Sequence, residues 1–297
     1  MKLLLTGASG FVGGFVQQVL PCTPLALDGG IIDLRNATAV NAAVETIRPD
    51  AVLHLAAQTF VPRSFEDPEE TFAINFLGTY NLLSSLKKVR FRGRFLLVSS
   101  SDVYGLVRPE SLPVTEEFLS RPRTPYAVSK VAAEALCFQW GQTEQIEMIT
   151  ARPFNHIGPG QRPEFAISGF AKQVAEIKRG LTPAIIEVGD IDATRDFCDV
   201  RDVVRAYAAL LAEGMPGEIY NVCSGVERSV RSLLDQLLCR AGVAAQIKAD
   251  VSRFRPSEQK RIYGDSSKIR RDMGWTPSIP IEQTLDDILD YWEKEIS

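Results

Sequence analysis

Three glycines, Gly7, Gly10 and Gly13, stand in the stretch TGASGFVG directly after the apolar run KLLL. A chain that leaves its first buried strand through such a turn has few architectures open to it. The first glycine permits a tight turn, and the second lets backbone amides approach a pyrophosphate. The third lets the following helix press against the sheet, its N-terminus facing the anion with a partial positive charge. Taken alone, the pattern is also an ordinary glycine-rich strand–helix turn. The rest of the chain decides between the two.

Apolar runs of strand length alternate with helix-length segments. Residues 2–6, 24–28, 51–56, 94–100 and 147–154 read as buried strands, too continuously apolar to alternate with solvent. Helices are predicted over 11–20, 37–47 and 69–88, the last with Phe72, Phe76, Tyr80, Leu83 and Leu86 at helical spacing. A fourth begins at TPYAVSK, with Thr124 as N-cap and Pro125 at the first helical position. Repeated strand–helix–strand units make an α/β fold, a Rossmann-type doubly wound parallel sheet with helices on both faces. The pattern changes at GPGQRPEF, where Gly and Pro crowd into a loop. Beyond it, helices at about 165–179, 200–213, 229–241 and 281–295 mix with short strands such as EIYNVCS. The expected organisation is a dinucleotide-binding domain over 1–160 and a smaller mixed α/β substrate-binding domain over 161–297. The chain passes back to the first at about 197–223.

Composition removes several functions. A net charge of −4 leaves no basic excess to draw the chain to nucleic acid or anionic lipid. No apolar stretch is long enough to span a membrane, and the opening MKLLL is too short for a signal peptide. The five cysteines are odd in number, far apart and without a CxxC, and so read as reduced core thiols of a cytosolic protein. Two histidines, His54 and His156, are too few for a His-rich metal site, and none is expected.

On the adenosine side, Asp28 falls about 20 residues after Gly7, where a carboxylate contacts the ribose of NAD. A turn aspartate before GG is the equal alternative. Asp33 comes soon after, with Leu34 beside it. No basic residue lies between Gly7 and Asp33, which disfavours a tight 2′-phosphate clamp, although Arg35 is near enough to supply one. The coenzyme is therefore NADH or NADPH.

YAVSK puts Tyr126 and Lys130 on one helix face. SSSDVYG ends the fourth strand in Ser99, Ser100 and Ser101, at the sheet's carboxyl edge where ligands bind. Together these residues can move a proton alongside a hydride. An ordinary tyrosine loses its proton near pH 10, and a neighbouring ammonium and a nicotinamide cation both favour the phenolate. In carbonyl reduction Tyr126 would donate its proton, Ser100 would hold the carbonyl oxygen, and Lys130 would also hold the nicotinamide ribose. YxxxK alone can be a surface pair, and the serines a polar strand end. Glycine turn, strand-end serines and YxxxK in this order are a far more specific combination.

TGASGFVG, HLAAQT, SSSDVYG, YAVSK, RPFNHIGPGQ, TRDFCDVRDVV, YNVCSG and RPSE together resemble the extended short-chain dehydrogenase/reductases that act on nucleotide sugars, over essentially the whole chain. FNHIGPGQ and RPSE are most similar to members that reduce a GDP-linked keto-sugar. The resemblance thus implies conversion of GDP-4-keto-6-deoxy-D-mannose to GDP-D-rhamnose by a homodimer. It implies coenzyme contacts from Ser9, Gly10, Phe11, Val12 and Gly13, from Leu55, Ala56 and Ala57 in HLAA, and from Pro153. On the substrate side it implies Ser100, Ser101, Asp102, Asn155, Arg195, Arg255 and Glu258, with Lys172 as a further diphosphate candidate. Arg195 as a surface ion pair and Lys172 on a solvated helix face are the bland alternatives. Related dehydratases and epimerases remain open, because a glutamate used for elimination in the dehydratases is here Asp102, one methylene shorter. A non-enzymatic dinucleotide sensor on the same fold is the remaining rival, against which the intact Tyr126/Lys130 pair argues.

Overall fold

The computed structural model describes residues 2–27, 29–250 and 259–296. Six parallel strands form the central sheet in the spatial order Ile219–Val222, Glu147–Pro153, Arg94–Val98, Ala51–His54, Leu3–Thr6, Cys22–Pro24. Successive residues of a strand point to opposite faces, so each apolar run feeds two cores at once. Leu4, Val52, Phe95 and Leu97 pack on one face under Ala37–Ile47, Gly78–Lys88 and Pro125–Glu144. Leu3, Leu5, Leu53 and Leu96 pack on the other, against Val16 of the helix Phe11–Val19 and Val203, Tyr207 and Leu210 of the helix Val200–Glu213. The late segment around 200–222 thus supplies both a covering helix and an edge strand to the sheet.

A separate core lies among the helices Ala166–Lys178, Val230–Ala241 and Ile281–Glu295, with Phe170, Val174, Leu234, Leu285 and Ile288 fully or nearly buried. Ile185–Val188 packs there and pairs in parallel with Gln246–Ala249. Between this core and the main sheet, Thr194–Asp199 pairs with Asn155–Ile157 on one side and Glu227–Ser229 on the other.

Two segments depart from the sequence reading. The strand expected over 24–28 contributes only Cys22–Pro24 to the sheet. Ala26–Leu27 turns away and pairs antiparallel with Gly30–Ile31, a reversal that uses the positive φ of Gly29. The helix expected over 69–88 is composite: Pro68–Phe72, a π-turn Ala73–Leu77, then Gly78–Lys88. The wider π-turn rotates the helix face, so Thr71, Asn75, Thr79, Leu82, Leu83 and Leu86 point inward, and Tyr80 of the predicted apolar stripe is exposed.

The first strand lies between the second and Ala51–His54, so the connections leaving it and leaving its neighbour run to opposite sides. A crevice opens at that switch point, beyond the carboxyl ends of the strands.

Candidate active site

Gly7 sits at the mouth of this crevice with φ +73°, a conformation side chains resist. Its amide-bearing turn is closed by Gly10 N–H donating to the Gly7 carbonyl at 3.0 Å. A Cβ on Gly13 would stand 2.2 Å from that same carbonyl oxygen, so only glycine lets the helix begin this close to the turn. Beside the turn lies a shallow apolar cleft whose lining includes Gly7, Ala8, Pro24, Leu25, Leu34 and Ala56. Its apolar walls suit the face of a flat aromatic ring, and the start of Phe11–Val19 presents unpaired backbone N–H groups of the kind that bind anions. Ser9, Phe11 and Val12 belong to that turn and first helical turn, and Leu55, Ala56 and Ala57 leave the neighbouring strand end. Pro153 closes the strand Glu147–Pro153 on the far side of Arg94–Val98. Asp33 is exposed and bound to Arg35. Asp28, Arg255 and Glu258 lie outside the described residues.

The catalytic trio converges. Thr124 caps its helix by accepting from Ala127 N–H at 3.0 Å, with Pro125 in the first turn. This delivers Tyr126 and Lys130, both about nine-tenths buried or more, to the sheet's carboxyl edge. Lys130 Nζ donates to the Val98 carbonyl at 2.9 Å, next to the strand end, and lies 5.9 Å from the Tyr126 ring centroid. The Ser100 hydroxyl is near enough to the Tyr126 phenol to favour its ionised form as a hydrogen-bond donor, and it accepts the Asp102 N–H at 3.1 Å, which fixes its side chain at the start of the 101–104 turn.

Within the protein alone, the electrostatics favour the neutral phenol. Burial first, and then the Asp102 carboxylate, push the Tyr126 phenol well above its ordinary value; the Ser100 hydrogen bond offsets only part of this. Burial lowers Lys130 to about 8, with Glu134 and Cys137 opposing the shift. At neutral pH the phenol therefore holds its proton, which is the form a general acid needs.

Behind the trio lies a buried network that sequence motifs do not announce. Burial and the Lys130 charge lower His54 to about 3, so the ring is neutral. Thr79 Oγ1 already donates to the Asn75 carbonyl at 2.6 Å, so His54 Nε2–H donates to Thr79 at 2.9 Å. His54 Nδ1 then accepts from Thr6 Oγ1 at 2.7 Å, and Thr6 in turn accepts the Ala56 N–H at 3.1 Å. Asn75 Nδ2 donates to Ser129 Oγ at 2.9 Å and to the Gln58 carbonyl at 3.0 Å, and Oδ1 accepts the Gln58 N–H at 2.8 Å. Ser129 donates to the Tyr126 carbonyl at 2.7 Å. The network ties the glycine-turn strand, the π-turn and the Tyr126 helix into one frame. A signal for it exists: Asn75 and Thr79 are polar, four apart, on a face otherwise filled by leucines.

The remaining predicted residues lie on other elements, apart from Ser101, which follows Ser100 in the chain. Asn155 is exposed opposite Phe197 in the bridging sheet, and Arg195 lies two residues from Phe197 on the same strand. Arg195 Nη1 donates to the Thr194 carbonyl at 2.8 Å. The adjacent Asp196 is buried and accepts from Ser224 N and Oγ, both at 2.7 Å, and from Gly225 N at 2.9 Å, so it organises the YNVCSG loop. Lys172 lies over the Trp292 ring at 5.6 Å and 3.7 Å from Glu176. Ser101 is buried.

A phenol, an ammonium and a hydroxyl gathered beside a dinucleotide turn define an oxidoreductase of the short-chain dehydrogenase/reductase class. The chain belongs to the GDP-mannose 4,6 dehydratase family, whose model matches residues 30–288. It is 48% identical to a GDP-6-deoxy-D-mannose reductase of Pseudomonas aeruginosa, over 99% of this chain and 98% of that one. A GDP-mannose 4,6-dehydratase of Vibrio cholerae is 28% identical over 88% of this chain and 76% of its own length. Among solved structures, RMD from Pseudomonas aeruginosa complexed with NADPH superposes with a TM-score of 0.93 at 47% identity, covering 99% of both chains. A UDP-glucose 4-epimerase from Thermus thermophilus in complex with NAD gives 0.87 at 29% identity, covering 98% of this chain and 99% of the epimerase.

Proposed function

We propose that this chain reduces the 4-keto group of GDP-4-keto-6-deoxy-D-mannose with NADPH or NADH, yielding GDP-D-rhamnose. The observation that carries the reading is a buried Tyr126 with the Ser100 hydroxyl acting on its phenol and the Lys130 ammonium 5.9 Å from its ring. The coenzyme supplies the hydride. Tyr126 protonates the forming alkoxide, Ser100 holds the same oxygen, and Lys130 holds the ribose and opposes negative charge left on the phenol. The whole-length likeness to a GDP-6-deoxy-D-mannose reductase supports reduction over the related chemistries.

In this reading residues 1–160, with the returning segment at about 197–223, bind the coenzyme, and 161–297 bind the nucleotide sugar. Asn155, Arg195, Arg255, Glu258 and, more remotely, Lys172 hold the diphosphate and ribose. A guanidinium fork matches phosphate oxygens, and a carboxylate accepts from paired hydroxyls. Ser101 and Asp102 face the hexose. The chain works as a homodimer through Leu77, Tyr80, Val128 and Phe138, large apolar side chains left exposed on the 68–88 and 125–144 helices. Among the described residues no helix is long and apolar enough to cross a membrane, and a cytoplasmic site of action fits a nucleotide-sugar substrate.

Asp102 favours one second reading. Its carboxylate acts on the Tyr126 phenol, near where an eliminating carboxylate would stand in a dehydratase. Incubation with GDP-mannose and oxidised coenzyme separates the two. A reductase leaves GDP-mannose intact and oxidises NAD(P)H only when the keto-sugar is added; formation of a 4-keto product from GDP-mannose alone would assign the chain to elimination.

A further inference from the structure

We infer that Arg152 is a positioning residue for this reaction: its guanidinium joins the turn that follows Ser100 to the helix that carries Tyr126, and so sets the spacing of the two groups that meet the carbonyl oxygen. The inference rests on the reductase reading and deepens it, since that reading names the two groups but not what holds them in register.

Ser100 and Tyr126 leave different elements. Ser100 follows the strand Arg94–Val98 and opens the turn Ser101–Tyr104, whereas Tyr126 stands in the first turn of the helix Pro125–Glu144. Arg152 belongs to a third element, the strand Glu147–Pro153, and its side chain is only 5% exposed. On the helix side, its Nε and Nη2 donate to the two carboxylate oxygens of Glu134 at 3.0 and 2.7 Å. Glu134 lies one helical turn beyond Lys130 and two beyond Tyr126, so the fork ties that helix to the strand by two parallel bonds. The same carboxylate acts on Lys130 and favours its ammonium.

On the serine side, the guanidinium carbon lies 4.8 Å over the ring of Tyr104, the last residue of the Ser101–Tyr104 turn. Tyr104 is buried, and its hydroxyl donates to Asn221 Oδ1 at 2.7 Å; Asn221 is the residue paired with Arg152 in the sheet. Arg152 Nη2 also donates to Ser120 Oγ at 3.2 Å. Ser120 precedes Arg121, whose N–H donates to the Val103 carbonyl of the same turn at 2.9 Å. A Cβ on Gly105 would stand 1.8 Å from the Arg121 carbonyl oxygen, so glycine lets these two segments meet. Ring face and side-chain hydroxyl thus hold the turn to Arg152 at two points.

A buried ion pair is a poor route to stability, because apolar residues of similar volume often do as well or better. What the pair adds is direction. A planar fork admits a narrow range of distances and orientations to a carboxylate, while its face is left for an aromatic ring. Arg152 therefore acts through Glu134 and Tyr104, and its own strand runs on to Pro153 and Asn155.

Two variants test this. Arg152→Lys leaves the Glu134 carboxylate paired and acting on Lys130 and removes only the fork, so its loss reads geometry rather than charge. Arg152→Met with Glu134→Leu replaces the pair whole, so that no buried charge is stranded. The expected result is a kcat for keto-sugar reduction down about tenfold in the first and up to about 100-fold in the second, the scale of a misplacement of about 1 Å. The KM for keto-sugar, and the coenzyme affinity from fluorescence titration, should stay within about threefold of the wild type, with cooperative melting. A folded variant with the wild-type kcat, or one whose KM and coenzyme affinity worsen as much as its kcat, would overturn the inference and leave the reductase reading standing. Failure of both variants to fold would mark the pair as structural and overturn it equally. A wild type that does not reduce the keto-sugar would bring down the reductase reading and this one with it.

Discussion

Replacing Tyr126 by phenylalanine removes one oxygen from the centre of the site and almost nothing else. The ring stays packed, since it is buried along with Lys130 and the remaining cationic contact is with the ring face, 5.9 Å away. At most one hydrogen-bonding interaction is lost, with Ser100, whose Oγ keeps the Asp102 N–H. A single buried hydrogen bond contributes about 1 kcal/mol, so melting should move by only a few degrees. The Lys130 contact to the Val98 carbonyl and the glycine turn are untouched, so coenzyme affinity should change less than about threefold. What disappears is the proton donor, a loss of roughly 10²- to 10⁴-fold in rate, with Ser100 alone left to hold the carbonyl oxygen. The expected result is a kcat for keto-sugar reduction down about a thousandfold, with unchanged coenzyme titration and a native melting profile. Stopped-flow reduction at saturating coenzyme measures it under single turnover, free of product release. A variant that reduces the keto-sugar at the wild-type rate would show that the proton comes from elsewhere and that the convergence at the strand end is structural.

Other perturbations reach other parts of the frame. Lys130 carries its ammonium below its lowered value of about 8, so the KM for coenzyme should rise as pH climbs through 8 while the phenol of Tyr126 stays protonated; initial rates across pH 6 to 10 check this, and a flat KM would contradict it. Gly13→Ala forces a methyl to 2.2 Å from the Gly7 carbonyl oxygen, so coenzyme affinity should fall at least about tenfold even where thermal melting shows a folded protein. Asn75→Ala strands the Gln58 amide and Ser129 in a buried setting and should cost about 1–3 kcal/mol in chemical denaturation, with kcat falling more than the KM for sugar because the Tyr126 helix loses its tie. Leu77→Asp together with Phe138→Glu places charges on the exposed apolar face, and sedimentation is expected to show a dimer for the wild type and a monomer for the variant.

Much of this molecule is legible in its sequence because its signals are local. Continuous apolar runs mark the buried strands, Thr124–Pro125 marks a helix start to the residue, and the glycines mark the turn by their spacing. The second strand is misplaced by the same reasoning because LALDGG reads as a strand end, whereas the chain leaves the sheet at Pro24 and reverses through Gly29. Periodicity makes 69–88 a single helix face because it assumes a constant number of residues per turn, and a π-turn breaks that assumption at Ala73–Leu77. The tyrosine's acidity is hidden for another reason. Burial and the Asp102 charge outweigh its hydrogen bond, and neither burial nor the approach of residues 24 apart along the chain can be seen in a five-residue motif. The His54–Thr79–Asn75–Ser129 network is hidden likewise, since its members come from separate elements.

Product identity is the most direct test. The protein is incubated with enzymatically prepared GDP-4-keto-6-deoxy-D-mannose and NADPH or NADH, deuterated at the transferable position, and the product is read by proton NMR. The expected result is GDP-D-rhamnose with deuterium at C4 and one coenzyme oxidised per sugar. Unreacted keto-sugar, or deuterium at any other carbon, would contradict the assignment of this site to 4-keto reduction.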